Sequence, residues 1–227
     1  MRSTISVIIP ALNEAQSIGS VVNSMPWTTI DECIVVDNGS TDGTAKIAAA
    51  AGARIVNSPR GFGAAMHAGS LAALDTSDIL VFMDGDGADV ITELPKLLGP
   101  VERGEVDFAI GSRIRGEREP GSMLRSQVFA GHLIGWLVRI FYGFRYTDMG
   151  AFRVIRRSAL LEMNMTEMTY GWNLEMQIKA VKMKLRILEV PVAYRCRIGG
   201  ESKVSGNLSA SIQAAIRIFG VLLRTRR

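Results

Sequence analysis

The sequence predicts an α/β protein with a mainly parallel central sheet, helices on both faces and amphipathic helices in its second half. Three observations carry that reading. Short apolar runs rich in Val and Ile alternate with helical stretches of about ten to fourteen residues, the rhythm of βαβ units. The runs are separated by turn-rich breaks such as "NGSTDGT". Aspartates stand at the ends of two runs, Asp37 and Asp84, where open parallel sheets bind their ligands.

In order, "ISVIIP" is a β-branched run ended by Pro10, the pattern of a strand buried on both faces. "NEAQSIGSVVNSM" places Ile18, Val21, Val22 and Met25 at helical spacing, with Asn13 as the capping candidate. "ECIVVD" is the second strand, and "AKIAAAAG" is an Ala-rich helix closed by Gly52. "ARIVN" is the third strand, and "GFGAAMHAGSLAAL" is a helix with a glycine-rich start. "DILVFMD" is the fourth strand, "ITELPKLLGPV" a helix and "VDFAIGS" the fifth strand. The second half differs. "LRSQVFAGHLIGWLVRIFYGF" is apolar on most sides, yet Arg125, His132 and Arg139 recur every seventh residue as one narrow polar stripe. A buried helix with one solvated edge and an interfacial helix with a lipid-facing flank both fit that pattern. At the C-terminus, Leu208, Ile212, Ile216, Phe219 and Leu223 form an apolar face opposite Gln213, Arg217 and Arg224.

The 227 residues suffice for one sizeable core, with a predicted division into residues 1–112, 113–205 and a C-terminal amphipathic helix at 206–227. A net charge of +4 fits a polyanionic ligand, an anionic membrane or nucleic acid without choosing among them. Cys33 and Cys196 are far apart and read as unpaired thiols of a reducing compartment. Neither a signal peptide nor a transmembrane span is expected.

The chemistry concentrates in "VFMDGDGAD", residues 81–89. Three aspartates closing an apolar strand repel one another unless a cation sits among them. An EF-hand is excluded, because its fifth, sixth and twelfth positions hold Ala88, Asp89 and Pro95. A haloacid-dehalogenase-type motif closes a first strand, whereas three strand–helix units precede this one. Neither GxGxxG nor GxxxxGK[ST] occurs. What remains is Mg²⁺ or Mn²⁺ bridging carboxylates to a diphosphate, because alternate residues of an extended strand project to one side.

"VIIPALNEAQSI", "IVVDNGSTDGT", "RGFGAAMHAG", "FMDGDGAD" and "AIGSR", in that order and spacing, resemble family 2 glycosyltransferases with the A-type fold. "DMGAFRVIRRSAL" and "LEVPVAYRCRIGGESKV" are similar to the dolichol-phosphate mannose synthase group, which makes polyprenyl-phosphate sugars. The resemblance implies that Pro10, Asn13, Glu14 and Asp37 line a nucleoside pocket and that Asp84 and Asp86 hold the metal. It further implies that Arg113 and Arg125 bind phosphate and that Ser202 and Lys203 belong to a loop closing over the site. A glutamine common two residues after the second aspartate is here Ala88, with Asp89 next to it as the substitute. Asp37 also fits a plain acceptor in the Asn38–Gly39 turn, and His67 a packing residue.

The implied partners are a GDP- or UDP-hexose donor, a polyprenyl phosphate acceptor and the cytoplasmic face of a membrane, to which the chain is peripheral. Nucleic acid is not among them; a membrane-protein partner or a homo-oligomer stays open. A lipid phosphate is already an anion and needs no base, which favours inverting displacement at the anomeric carbon. Should the acceptor be a hydroxyl, Asp148 is the base candidate. That hydroxyl-directed enzyme and a non-catalytic nucleotide-sugar-binding module are the alternatives.

Overall fold

A computed structural model describes residues 2–199 together with Gly220, Val221 and Arg224. Ser202, Lys203 and nearly all of the C-terminal amphipathic face lie outside the described residues. Strands β1 (Ile5–Ala11), β2 (Glu32–Asp37), β3 (Arg54–Asn57), β4 (Ile79–Phe82) and β5 (Phe108–Ser112) alternate with helices α1 (Ile18–Asn23), α2 (Thr44–Ala50), α3 (Phe62–Ala72) and α4 (Leu94–Glu102). Then come α5 (Arg125–Tyr142), β6 (Arg153–Arg156), α6 (Arg157–Met163), α7 (Trp172–Lys182) and β7 (Ile187–Pro191). All five predicted strands form; β6 and β7 were not singled out in the sequence.

The strands make one sheet in the order β3-β2-β1-β4-β6-β5-β7. Every pairing is parallel except those of β6, which runs antiparallel between β4 and β5. Alternation along the strands divides the core in two. Ile8, Ile34, Leu80, Phe82 and Ile110 face the layer of α3, α5, α6 and α7, where Met66, Ile134, Leu160 and Trp172 meet them. Val7, Ile9, Val35, Val81 and Val154 face Val21 and Val22 of α1 and Leu94, Leu97 and Leu98 of α4. Burial on both faces explains why the central strands read as unbroken apolar runs.

One local expectation is corrected. Asn13 does not cap α1, which begins five residues later behind Ser17; Asn13 has φ +53° and bridges to the neighbouring loop. The glycine-rich start of α3 is a packing device. A Cβ at Gly61 or Gly63 would overlap the carbonyl oxygens of Met168 or Glu167, and the amide of Ala64 donates to Met168 O at 2.9 Å. His67 packs edge-on against Trp172, with ring centroids 6.2 Å apart.

Candidate active site at the strand ends

The parallel strands deliver their C-terminal ends to one edge of the sheet. Pro10 and Ala11 of β1 are register partners of Val36 and Asp37 of β2, and Asp37 is in turn paired with Asn57 of β3. Two loops are zipped together above them. The amide of Asn13 donates to Ser40 Oγ, and the Asn13 carboxamide oxygen accepts the Thr41 amide at 2.9 Å. The Glu14 amide donates to Thr44 Oγ1 at 2.9 Å and the Ala15 amide to Asp42 at 3.0 Å. The Ser17 hydroxyl reaches Gly85 O at 2.8 Å, tying these loops to the acidic turn. Pro10, Asn13, Glu14 and Asp37 therefore share one rim. One Asp37 oxygen accepts the Ser40 amide at 3.2 Å, so that carboxylate shapes its own turn as well.

The acidic turn follows β4 directly. Asp84 is half-buried, while Asp86 and Asp89 are buried. Asp89 Oδ2 accepts the Asp84 amide at 3.0 Å and Asp86 Oδ1 the Ala88 amide at 3.0 Å, so the turn is wound on its own carboxylates. Gly87 takes φ +79°, a left-handed conformation that suits glycine. Desolvation, together with the Asp89 and Asp86 charges, pushes the Asp84 carboxyl well above its ordinary range. Burial pushes Asp89 up to about 6, against the opposing hydrogen bond from the Asp84 amide. The Asp84 carboxylate receives no hydrogen bond from the described residues, and among them no three Asp, Glu, His or Cys side chains enclose an ion. Hard carboxylate oxygens, those of Asp84 without an ion pair among the described residues, fit Mg²⁺ or Mn²⁺ held by Asp84 and Asp86, the rest of the shell coming from phosphate oxygens and water.

Arg113 follows β5 and faces this turn. Its Nε and Nη2 donate to the two oxygens of Asp148, each at 2.8 Å, and its backbone amide adds a third bond to Asp148 at 2.9 Å. Its guanidinium lies 5.0 Å from the centre of the Tyr194 ring. Asp148 is only 2 % exposed and also accepts the Met149 amide at 2.7 Å. Although burial raises it, the Arg113 hydrogen bonds and charge hold the Asp148 carboxyl below its usual range. Asp148, the base candidate for a hydroxyl acceptor, is met in the folded chain as the partner of Arg113. It is an anion saturated with donors, and its geometry suits aiming Arg113.

Arg125 begins α5 but does not join this pair. It is exposed and lines a separate cavity of about 480 Å³ with Gly116, Arg118, Pro120 and Met123. Lys203 and Ser202 belong to the undescribed segment. Its near flank is described, and there the sequence reading missed two residues. Tyr194 bridges to Asp89, and Arg197 pairs with Asp86 at 2.9 Å, while the Ile198 amide donates to Asp86 O at 2.9 Å. The basic spacing of "YRCRIGG" was the available signal, but only folding shows which arginine meets the acidic turn.

The chain is similar to several known proteins. The family described as "Glycosyl transferase family 2" matches residues 6–164. An uncharacterized glycosyltransferase of Mycobacterium tuberculosis is 36% identical over 221 residues, covering 96% of this chain and 97% of its own. The undecaprenyl-phosphate mannosyltransferase of Micrococcus luteus is 30% identical, covering 96% of this chain and 94% of its own. Among solved structures, glucosyl-3-phosphoglycerate synthase from M. tuberculosis, crystallised with Mn²⁺, UDP-glucose and phosphoglyceric acid, superposes with a TM-score of 0.76 at 26% identity. That superposition covers 99% of this chain and 80% of the other, and the shared architecture is the A-type glycosyltransferase fold.

Proposed function

The chain belongs to glycosyl transferase family 2, and from that premise we propose that this hexosyltransferase moves its sugar from a nucleoside diphosphate to a polyprenyl phosphate. The observation that carries the choice of acceptor is the Arg113–Asp148 pair. Arg113 is a fixed cation beside the acidic turn, and the carboxylate nearest to it is locked as its partner and unavailable as a base. An acceptor already ionised at neutral pH requires a fixed cation and no base.

In this reading Pro10, Asn13, Glu14 and Asp37 hold the nucleoside, and Asp84 and Asp86 face the diphosphate. A bound Mn²⁺ or Mg²⁺ would supply charge stabilisation for the departing diphosphate. Arg113 neutralises and orients the acceptor phosphate, whose oxygen attacks the anomeric carbon as the bond to the donor diphosphate breaks, inverting that centre. Arg125, on the neighbouring cavity, receives the acceptor as it arrives.

The lipid tail has a surface to follow. On α5, Gly131, Ile134, Gly135 and Val138 are buried, whereas the opposite side exposes Phe129 (70%), Trp136 (56%), Ile140 (54%) and Leu133 (44%). Arg125, His132 and Arg139 run along the edge of that exposed face. No helix of the described residues is long and apolar enough to cross a membrane. The arrangement fits a helix lying in the interface, with the protein peripheral at the cytoplasmic face.

The glucosyl-3-phosphoglycerate synthase likeness supports a second reading, a phosphorylated small molecule attacking through a hydroxyl. One experiment separates the two. Purified protein with Mn²⁺ and a panel of UDP- and GDP-hexoses is offered farnesyl phosphate or 3-phosphoglycerate. Label extracted into organic solvent with farnesyl phosphate supports the lipid acceptor; transfer to 3-phosphoglycerate alone overturns it.

A further inference from the structure

We propose that Arg153 is a positioning residue for Arg113: from the buried start of β6 it fixes the Asp148–Gly150 backbone on which the Arg113–Asp148 pair is built. The proposal rests on the reading that Arg113 meets the reacting phosphate.

Arg153 is fully buried and forms no ion pair with a carboxylate among the described residues. A buried cation without a counter-ion is costly. Its position supplies the reason for tolerating that cost. Arg153 is the cross-strand partner of Phe82 on β4 and of Ile110 on β5. It thus lies between the two strands that deliver Asp84 and Arg113. Its guanidinium donates to Gly150 O and, through Nη1, to Asn173 O at 3.2 Å, and lies 5.9 Å from the centre of the Phe108 ring. Burial pushes it down to about 10, so it stays charged at neutral pH.

Gly150 O is one of three successive carbonyls held in the same way. Asp148 O accepts Gln177 Nε2 at 2.9 Å, Met149 O accepts Asn173 Nδ2 at 3.4 Å, and Gly150 O accepts Arg153. From the other side, the amides of Thr147 and Asp148 donate to the Glu189 carboxylate at 2.9 and 3.3 Å. Arg153 Nε, Asn173 Oδ1 and Gln177 Oε1 find no partner among the described residues. Three side chains, Arg153 and Gln177 buried and Asn173 half-buried, each leave a buried polar atom unpaired while bracing one short loop. That pattern makes sense when the geometry of the loop matters more than the satisfaction of its supports. The loop is packed directly against Arg113. A Cβ on Gly150 would stand 2.8 Å from Gly111 O and 3.5 Å from Arg113 Nε.

The test reads Arg113 itself. In ¹⁵N-labelled protein the Arg113 Nε–H, held in a bidentate pair, should exchange slowly with solvent. Arg153→Met should speed that exchange about tenfold or more while near-ultraviolet circular dichroism is retained, and Arg153→Lys should restore part of the protection. With Mn²⁺, the donor sugar that turns over and farnesyl phosphate, Arg153→Met should lower kcat about ten- to a hundredfold with donor KM nearly constant. In an Arg113→Ala background the same change should cost little more. Gln177→Met removes a different brace without touching a buried charge, and carries the same exchange test should Arg153→Met fail to fold. Protected Arg113 exchange in a folded variant, or losses that multiply in the double variant, would overturn the proposal. If Arg113→Ala transfers at the wild-type rate, the role given to Arg113 falls, while the exchange measurement still decides whether Arg153 positions it.

Discussion

Two short loops flank Arg113 and treat their aspartates in opposite ways. In the turn after β4, Asp84 and Asp89 are desolvated, crowd one another and are pushed above the usual carboxylate range. In the loop before β6, Asp148 is buried like Asp89, yet Arg113 and backbone amides hold it below that range. The first loop is only partly balanced: Arg197 pairs with Asp86, while Asp84 and Asp89 form no ion pair among the described residues, and a cation from outside would complete it. The second is complete already. An active site needs both: charge left unbalanced where a ligand will enter, and charge fully balanced where a side chain must be aimed.

The largest effect should come from the unbalanced loop. Asp84→Ala or Asp86→Ala should lower turnover about a thousandfold or more, equivalent to about 4 kcal/mol in the barrier. Excess chelator should do the same to the wild type. Melting of the Asp84→Ala protein should be unchanged or slightly raised, because a repulsion has been removed. Full activity in chelator, measured by radiolabelled transfer, would break the comparison.

Asp148→Ala should show the reverse signature. Removing the partner of a mostly buried arginine costs about 3 kcal/mol, which is about 6–12 °C in Tm for a chain of this size. Thermal scans of the Asp84 and Asp148 variants side by side test the contrast directly, and an Asp148 variant as stable as the wild type would refute it.

A smaller effect follows from pH. Asp89 titrates at about 6 in the folded protein against 3.8 in the absence of its surroundings, so the fold binds the extra proton between those values. The metal-free protein should therefore lose stability as pH rises through that window and level off above it. Mn²⁺ held by Asp84 and Asp86 would disfavour a proton on the neighbouring Asp89, so its affinity should climb over the same window, up to about tenfold per pH unit for each proton released. Calorimetric titration from about pH 4 to 7 checks the sign; affinity that falls with pH contradicts it.

The smallest effect concerns the exposed side of α5. Flotation with anionic liposomes should recover the protein at low salt and less of it at high salt. Trp136→Ala should weaken partitioning roughly tenfold, about 1.5 kcal/mol, through lost apolar contact alone. Equal flotation of wild type and variant would remove α5 from the membrane contact.

Much of this was legible in the chain. The five strands of the first half, their parallel order and the placement of Asp37 and Asp84 at strand ends follow from local signals: β-branched runs, turn residues and a period of two or 3.6. The acidic turn was readable because three like charges after a buried run repel one another until a cation joins them. Strands β6 and β7 were harder. "RVIR" is short and flanked by charge, and it becomes a central strand only because β4 and β5 close on both sides of it. Asn13 resembled a helix cap, since an asparagine before an apolar repeat has the same local chemistry whether it caps or bridges to the next loop.

The sequence by itself determined the alternation of strands and helices and the site of negative charge, because these depend on neighbours within a few residues. Only the tertiary structure decided which charges meet. Arg113 and Asp148 are 35 residues apart, and Arg197 and Asp86 are 111 apart. Whether an aspartate becomes a base, a metal ligand or the partner of an arginine depends on donors brought from other strands and on the water they exclude. Both are properties of the folded sheet edge, and neither is written in the local sequence.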